Sequence, residues 1–192
     1  MKRKKLLPLL ALLFVVALVF IGIKMTQGTS LIGKARAKKF NIDLSTNNSY
    51  LQSVSFHGVS FMCPASWDVL KKVGVMYEIS CVDNNSIAKR SVNFMWMNIE
   101  IPPEEWIEEG LKEAEDKLGS NKATVSSIKN SMFNTIKSKT IDISYTESDV
   151  KVYGKITSFN LKGSSCIVIM FNDSEIESDA DFYAIEKSFE VK

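Results

Sequence analysis

The sequence predicts an α+β protein in which one antiparallel β-sheet is flanked by helices and preceded by a single N-terminal transmembrane helix. Three observations support this fold class. A long uncharged apolar run follows a basic cluster at the N-terminus. Short apolar segments separated by polar turns then occupy much of residues 51–171, and two segments of helical periodicity accompany them. Residues 51–192 are numerous enough for one domain with its own hydrophobic core.

The N-terminal apolar run is Leu6–Ile23, which carries no charge and directly follows Lys2–Lys5. At about 1.5 Å per residue, a helix of this length spans roughly 27 Å, close to the thickness of a bilayer core. The basic cluster favours a cytoplasmic N-terminus, so the rest of the chain should face outward. We therefore predict a signal anchor over residues 1–25, a basic polar linker over 26–50 and an extracytoplasmic domain over 51–192.

Cleavage of the apolar segment is the alternative. A signal-peptidase site needs small residues soon after the apolar core, and the only such triplet, Ala35-Arg36-Ala37, lies more than ten residues beyond it. A lipoprotein would need a cysteine directly after the run, and the first one is Cys63. We favour an uncleaved single-pass anchor in the cell membrane, and secretion after cleavage stays open.

Charge is distributed unevenly along the chain. Nine basic residues precede Phe40, whereas all 22 acidic residues follow it, which leaves a net charge of −7 in the outer part. Such a domain is a poor nucleic-acid binder, because that affinity comes mainly from neutralising phosphates. The basic stretch Lys34–Lys39 suits contact with anionic lipid head groups, with a solvated tether as the alternative.

Three cysteines, Cys63, Cys81 and Cys166, lie in apolar, strand-like stretches. An odd number cannot pair completely within one chain, and free cysteine is often a small buried apolar residue. The oxidising side of a membrane still permits a Cys63–Cys81 disulfide. Buried free thiols are the favoured interpretation, and the disulfide stays open.

The β-type segments alternate with turns that are rich in Asn, Asp, Gly and Ser. Two of them are apolar on both faces, which predicts central strands that are covered on both sides. The predicted strands are Leu51–Phe56, Val59–Cys63, Val73–Val82, Ser91–Ile101, Ala123–Ile128, Met132–Ile136, Lys139–Tyr145, Lys151–Leu161 and Ser165–Phe171, with Ser91–Ile101 and the last of these in the centre.

Two helices are predicted. Glu104–Leu118 follows a Pro-Pro stop, repeats apolar residues at three- and four-residue spacing and carries glutamates in its first turns, where the helix dipole favours them. Ser178–Phe189 closes the chain, with Ser178 as its N-cap and Asp181 completing a capping box.

The order of these landmarks resembles the PsbP-like family, in particular its extracytoplasmic bacterial members of the DcrB type. The matching residues are Gly58-Val59-Ser60-Phe61, then Pro64 and Trp67, and at the end Phe182, Ile185 and Ser188-Phe189. The resemblance covers about Leu51 to Lys192 and implies an α/β/α sandwich. Members of this family share a fold and not a function, so the resemblance assigns no activity. The matching residues look like core positions, so no site residue is carried over.

The sequence carries no recognisable catalytic or zinc motif. Its only histidine, His57, stands beside Gly58 at a strand junction and reads as an exposed polar residue. Calcium is a weak alternative for five alternating acids, but the EF-hand pattern fails, because Ser178 and Ala184 stand where Gly and Glu are required. We therefore predict no enzyme, no catalytic residue, no cofactor and no metal site. The five acids are Asp173, Glu175, Glu177, Asp179 and Asp181.

These features predict a membrane-tethered extracytoplasmic binding or accessory domain without enzymatic activity. Lipid holds the N-terminal helix, the expected partner is another envelope protein, and nucleic acid is not expected. The alternative is a small-molecule or ion-binding carrier of the cell envelope with a pocket between sheet and helix. Five bulky side chains compete for that space and favour a filled core: Trp67, Phe94, Trp96, Trp106 and Phe171.

Overall fold

A computed structural model of the chain describes residues 50–86, 90–108, 111, 123–147 and 150–191. The predicted membrane segment Leu6–Ile23 and most of the predicted linker lie outside these residues, as does most of the second half of the predicted helix Glu104–Leu118. Within the described ranges, no helix has the length and apolar character needed to cross a membrane.

The described residues are mostly strand. Helix α1 begins at residue 103 and is described to residue 108 and again at 111. Helix α2 is Ala180–Lys187, and a 3-10 turn at Ile176–Ser178 precedes it. The strands are β1 Leu51–Phe56, β2 Val59–Pro64, β3 Asp68–Val73, β4 Tyr77–Val82, β5 Ser91–Met97, β6 Ala123–Val125, β7 Lys129–Phe133, β8 Ile136–Glu147, β9 Val150–Leu161, β10 Ser164–Asn172 and β11 Glu190–Val191.

The strands form two antiparallel sheets. The large sheet has the order β3-β4-β5-β10-β9-β8-β6, with β7 also paired to β8. The small sheet has the order β1-β2-β11. Mostly antiparallel sheet with few helices is an α+β arrangement, as the sequence predicts.

Both faces of the large sheet are packed. On one face Phe94 stacks on Phe61 at 4.4 Å and on Phe189 at 5.5 Å between ring centroids, so the small sheet and the end of the chain cover it. On the other face the buried Trp106 and Ile107 of α1 join the apolar side chains of the central strands. Every residue of β5 is buried, which confirms the prediction of a central strand covered on both sides.

Several predicted strands have wrong bounds. Ser91–Ile101 and Ala123–Ile128 end too late, since β5 ends at Met97 and β6 ends at Val125. The predicted strand Val73–Val82 begins too early, because Val73 ends β3, residues 74–76 form a connection and β4 begins at Tyr77. Met132–Ile136 contains a turn at Asn134, whose φ is +51°, so β7 ends at Phe133 and β8 begins at Ile136. Strand β3 has only one partly buried residue and therefore lacks the apolar alternation by which strands are recognised.

The predicted cap of the last helix is also wrong. The carboxylate of Asp179 caps α2, since it accepts hydrogen bonds from the backbone N–H groups of Asp181 and Phe182. Ser178 ends the 3-10 turn, and its hydroxyl donates to the carbonyl oxygen of Glu175 at 2.8 Å. The 3-10 turn therefore moves the N-cap by one residue, from Ser178 to Asp179.

Antiparallel pairing places the strand connections at two ends of the large sheet. One end collects the connections at residues 74–76, 98–102, 134–135 and 162–163, and the β1–β2 turn joins it because His57 stacks on Tyr77. We call this the hairpin end. The other end collects residues 65–67, 83–86, 90 and 173–179 together with the end of β8 and the start of β9, and we call it the acidic end.

Candidate functional site

A largely buried arginine is the centre of a polar network at the acidic end. The Nη2 atom of Arg90 lies 2.7 Å from both carboxylate oxygens of Asp179 and 2.7 Å from Oδ2 of Asp181. Asp83 approaches the Nη1 atom at 3.7 Å. The Arg90 side chain is 20% exposed and the three aspartates are 10–15% exposed, so water screens these charges only in part.

Aromatic rings and neutral donors complete the network. The guanidinium carbon of Arg90 lies 5.2 Å from the ring centroid of Trp67 and 5.7 Å from that of Phe182, within cation–π range. The hydroxyl of Tyr50 donates to Asp181, and Nδ2 of Asn172 donates to Asp179 at 3.0 Å. The network therefore joins the start of the domain to the β4–β5 connection, β10 and α2.

The electrostatics agree with this geometry. Burial by itself would lower the pKa of Arg90, but the negative charge of Asp179, with that of Asp181 and Asp83, outweighs it and raises the pKa. Partial burial, and then the hydrogen bond to Asp181, raise the pKa of Tyr50 above its ordinary value. Arg90 is thus held charged, which suits it to clamping carboxylates and not to transferring protons.

The five alternating acids do not gather into one cation site. Asp179 and Asp181 come together, but around the guanidinium of Arg90. Glu177 lies 3.3 Å from the Nζ atom of Lys155. Across the part of the chain that the structure describes, no group of three or more His, Cys, Asp or Glu side chains is arranged to hold a metal ion.

Sequence reasoning missed the Arg90 network. One signal could have pointed to it: Arg90 is the only arginine after residue 40, where every other basic residue apart from His57 is a lysine. The planar guanidinium matches carboxylate pairs in a way that an ammonium group cannot. A single arginine among lysines therefore indicates a position where a guanidinium contacts carboxylates.

His57 lies at the hairpin end, in the β1–β2 turn, with its backbone in the left-handed region at φ +46°. Its ring is exposed, stacks on Tyr77 at 4.2 Å and meets Phe56 edge-on at 4.5 Å. Trp96 packs behind this pair, 5.7 Å from Tyr77. The histidine is therefore the outer surface of an aromatic corner.

A groove of about 290 Å³ opens beside the 3-10 turn. It lies over β6, β8 and β9 at the margin of the apolar cores, since Ile176, Val125 and Ile143 also line it. Asp142 pairs with Lys129 at 2.7 Å, and Lys155 pairs with Glu177. The space expected between sheet and helix is instead packed, since all five bulky side chains named for it are buried. The polar side chains of the groove are Thr124, Ser126, Asp142, Ser144, Tyr153, Lys155, Glu175 and Glu177.

The three cysteines are free and buried. The disulfide that the sequence left open between Cys63 and Cys81 is not formed. A hydrogen bond with Cys63 and then burial raise the pKa of the Cys81 thiol, and burial raises that of Cys166. Thiols held protonated in this way are poor nucleophiles.

Strand β3 is an exposed edge of the large sheet. It pairs only with β4 among the described strands, and all of its residues except Val69 are exposed. Leu70 is 49% exposed and Val73 is 66% exposed, and Lys71 and Lys72 stand between them. An edge of this kind presents unpaired backbone N–H and C=O groups to other molecules.

Comparison with known proteins adds little to this geometry. No family model matches the sequence, and no curated protein matches it. Among solved structures the chain is similar to a Pseudomonas aeruginosa protein of unknown function, with 10% sequence identity and a TM-score of 0.36. That similarity covers 65% of this chain and 83% of the other one.

Proposed function

We propose that the protein is a membrane-tethered, extracytoplasmic binding module without enzymatic activity, accessory to another envelope protein. The apolar run after a basic cluster supports the tether. Both faces of the large sheet are filled by bulky side chains, so recognition takes place on the outer surface. The ionic network around Arg90 pairs the guanidinium with carboxylates of the domain itself and serves to hold the fold.

The observation that carries this proposal is the exposed edge of β3. An extended segment of a partner can add to such an edge, with main-chain hydrogen bonds giving affinity and alternate side chains giving selectivity. Leu70 and Val73 offer apolar contacts on opposite faces of the strand.

Lys71 and Lys72 determine what kind of partner fits. Antiparallel pairing of two copies of β3 would bring lysines close together, which is unfavourable. The partner is therefore a different protein, and acidic or neutral side chains on its extended segment would suit the two lysines.

Site-specific photo-cross-linking in intact cells tests the proposal. A photo-reactive phenylalanine analogue in place of Leu70 should give a discrete cross-linked protein, and the same analogue in place of Tyr183 provides a control at another exposed position. Loss of the product in a Val73→Glu background would locate it on the edge. Recovery of the uncross-linked chain alone under several growth conditions would count against the proposal.

We also propose that the domain is an α/β/α sandwich, with helices on both faces of the large sheet. An α/β/α sandwich of the PsbP-like type is supported by the sequence resemblance, and by buried residues of α1 on one face of the sheet and of α2 on the other. An experimental structure of residues 109–122, with a helix lying across the α1 face, would support the sandwich. An extended chain there would leave that face with a single short helix.

The groove beside the 3-10 turn favours a second candidate, a carrier of a small polar molecule or ion. Ser126, Ser144 and Tyr153 are among the residues that line it, and about 290 Å³ suits a compact ligand. Native mass spectrometry of the purified protein separates the two candidates. A reproducible bound mass that is lost in Tyr153→Ala supports the carrier, and a bare mass supports the binding module.

A further inference from the structure

Exposed apolar side chains are concentrated at the hairpin end. Among the described residues, eight large apolar side chains are at least 42% exposed, and five of them lie in or beside the connections of this end. The most exposed are Val73 at 66% and Val75 at 65%, on either side of Gly74 at the β3–β4 tip. The other three at this end are Ile99, Met132 and Val191.

These side chains lie on four different parts of the chain. Val73 and Val75 are on the β3–β4 tip, Ile99 follows β5, Met132 precedes the β7–β8 turn, and Val191 lies on β11 beside Val59. A folded protein partner is recognised by a contiguous, close-packed patch. Separate exposed apolar side chains can instead each insert into the interface of a bilayer, because lipids rearrange around them.

The charges differ between the two ends. Lys71 and Lys72 directly precede the exposed valines, and the carboxylate beside them, Glu78, lies 3.5 Å from the Nζ atom of Lys72. Within three residues of its connections, the hairpin end carries four lysines and four glutamates: Lys71, Lys72, Lys137 and Lys162, and Glu78, Glu100, Glu104 and Glu105. The described part of the acidic end carries seven carboxylates and three cations, Arg90, Lys151 and Lys155. The carboxylates are Asp68, Asp83, Asp173, Glu175, Glu177, Asp179 and Asp181. An anionic membrane would therefore repel the acidic end and accept the hairpin end.

From these observations we propose that the hairpin end rests on anionic phospholipid, with Val75 entering the head-group region and the charges of Lys71 and Lys72 drawing the tip toward the phosphates. The inference relies on the proposed tether, which keeps the domain beside a bilayer. The membrane would then do more than anchor the chain. Contact with lipid would orient the domain and keep the edge of β3 at a fixed distance from the bilayer surface.

The attachment of the chain permits this orientation. Tyr50 enters β1 at the acidic end, and the six residues of β1 span about 20 Å to the hairpin end. The 24 residues between positions 26 and 49 reach at most about 80 Å when fully extended. The domain can therefore turn its hairpin end toward the bilayer without straining the connection.

Fluorescent labelling of the full-length chain in vesicles tests the proposal. The three native cysteines are buried, so Val75→Cys supplies one accessible thiol for an environment-sensitive dye, and Tyr183→Cys supplies a matched control on α2. Vesicles of phosphatidylcholine, with or without phosphatidylglycerol, would contain either lipid-chain nitroxide quenchers or aqueous iodide. Circular dichroism would verify that each variant keeps its fold.

With phosphatidylglycerol present, nitroxide should quench the dye at position 75 about twofold more than the dye at 183, and iodide should quench it less. Replacing Lys71 and Lys72 together with Gln should remove most of the dependence on phosphatidylglycerol. Equal iodide quenching at both positions would overturn the inference. Protection from iodide without nitroxide quenching would also overturn it, because a protein surface would then cover the tip.

Flotation of the vesicles in the same samples tests the N-terminal tether separately. A chain that floats with vesicles after a high-salt wash, but keeps its position-75 dye in water, refutes only the hairpin-end contact. A chain that no longer floats refutes the tether as well.

Discussion

The Nη2 atom of Arg90 lies 2.7 Å from Oδ2 of Asp181, although 91 positions separate the two residues in the sequence. The contact joins the start of a central strand to the first turn of the last helix. Three carboxylates surround the single guanidinium, and its positive charge offsets the repulsion among their negative charges. Removing one partner of a largely buried pair leaves an uncompensated charge, and this is the costly change.

We predict that Arg90→Ala lowers the free energy of unfolding by about 3 kcal/mol or more, because Asp83, Asp179 and Asp181 would repel one another. Urea denaturation followed by circular dichroism measures the loss. Lys72→Ala is the control, since it removes an exposed ion pair and should cost less than about 0.5 kcal/mol. Equal effects of the two variants would contradict the assigned role of Arg90.

The sequence predicted those strands and helices whose own residues show a recognisable apolar pattern. The central strands β5 and β10 were recognised because both of their faces are apolar, a property that can be read without knowing any neighbour. Strand β3 was missed because Leu70, Lys71 and Lys72 are exposed, and its strand conformation comes from pairing with β4. The hydrogen bonds that hold its backbone come from β4, and the residues of β3 do not reveal this pairing.

The Arg90 network could not be predicted for a related reason. Asp179 and Asp181 looked like solvated acids near a helix start, and only the pairing of β5 with β10 brings them beside Arg90. The position of His57 at a strand junction was predicted correctly, since Gly58 marks the turn. Its stacking on Tyr77 depends on how the two sheets pack together.

Tyr50 gives a prediction for alkaline pH. Burial and the hydrogen bond to Asp181 raise its pKa in the folded state, so the folded protein keeps a proton that the unfolded chain loses near pH 10. Stability from this group is therefore complete below about pH 10 and declines as the pH rises toward the folded-state pKa. Lysines and cysteines titrate in the same range, so the comparison must be with Tyr50→Phe.

Denaturation midpoints between pH 9 and 11.5 check this expectation. The wild-type midpoint should fall more steeply above pH 10 than that of Tyr50→Phe, and the difference between the two midpoints should keep changing in the same direction up to pH 11.5. Parallel curves would show that Tyr50 titrates alike in the folded and unfolded chains.

Gly154 gives a prediction about packing. A Cβ atom at this position would lie 2.8 Å from Cε1 of Phe171, on the neighbouring strand, so the ring occupies the space that a side chain would need. Gly154→Ala should therefore lower stability by about 1–3 kcal/mol through overpacking. Combining it with Phe171→Leu should recover part of this loss, as a double-mutant cycle would measure.

Gly163 provides the matched control for that cycle. Nothing lies within 4 Å of its hypothetical Cβ, but its φ is +75°, so Gly163→Ala should cost stability through backbone strain alone. Phe171→Leu should leave that cost unchanged. A coupling of the same size at both glycines would refute the steric explanation for Gly154.

The cysteines give a prediction that separates free thiols from a disulfide. In the native protein Ellman's reagent should find no reactive thiol, because all three are buried and the pKa values of Cys81 and Cys166 are raised. After denaturation without reductant it should find three. A single thiol after denaturation would instead indicate that the protein as isolated carries a Cys63–Cys81 disulfide.

The last prediction concerns membrane topology. If Leu6–Ile23 is an uncleaved anchor with Lys2–Lys5 inside, a reporter fused after Lys192 should be active only outside the cytoplasmic membrane, and the mature N-terminus should be Met1 or Lys2. The chain should stay in the membrane fraction after high-salt washing, because salt screens attachment through Lys34–Lys39 but not the burial of an apolar helix. A soluble product that begins between Lys24 and Lys39 would contradict the anchor. The domain would then be secreted, with its antiparallel sheets unchanged.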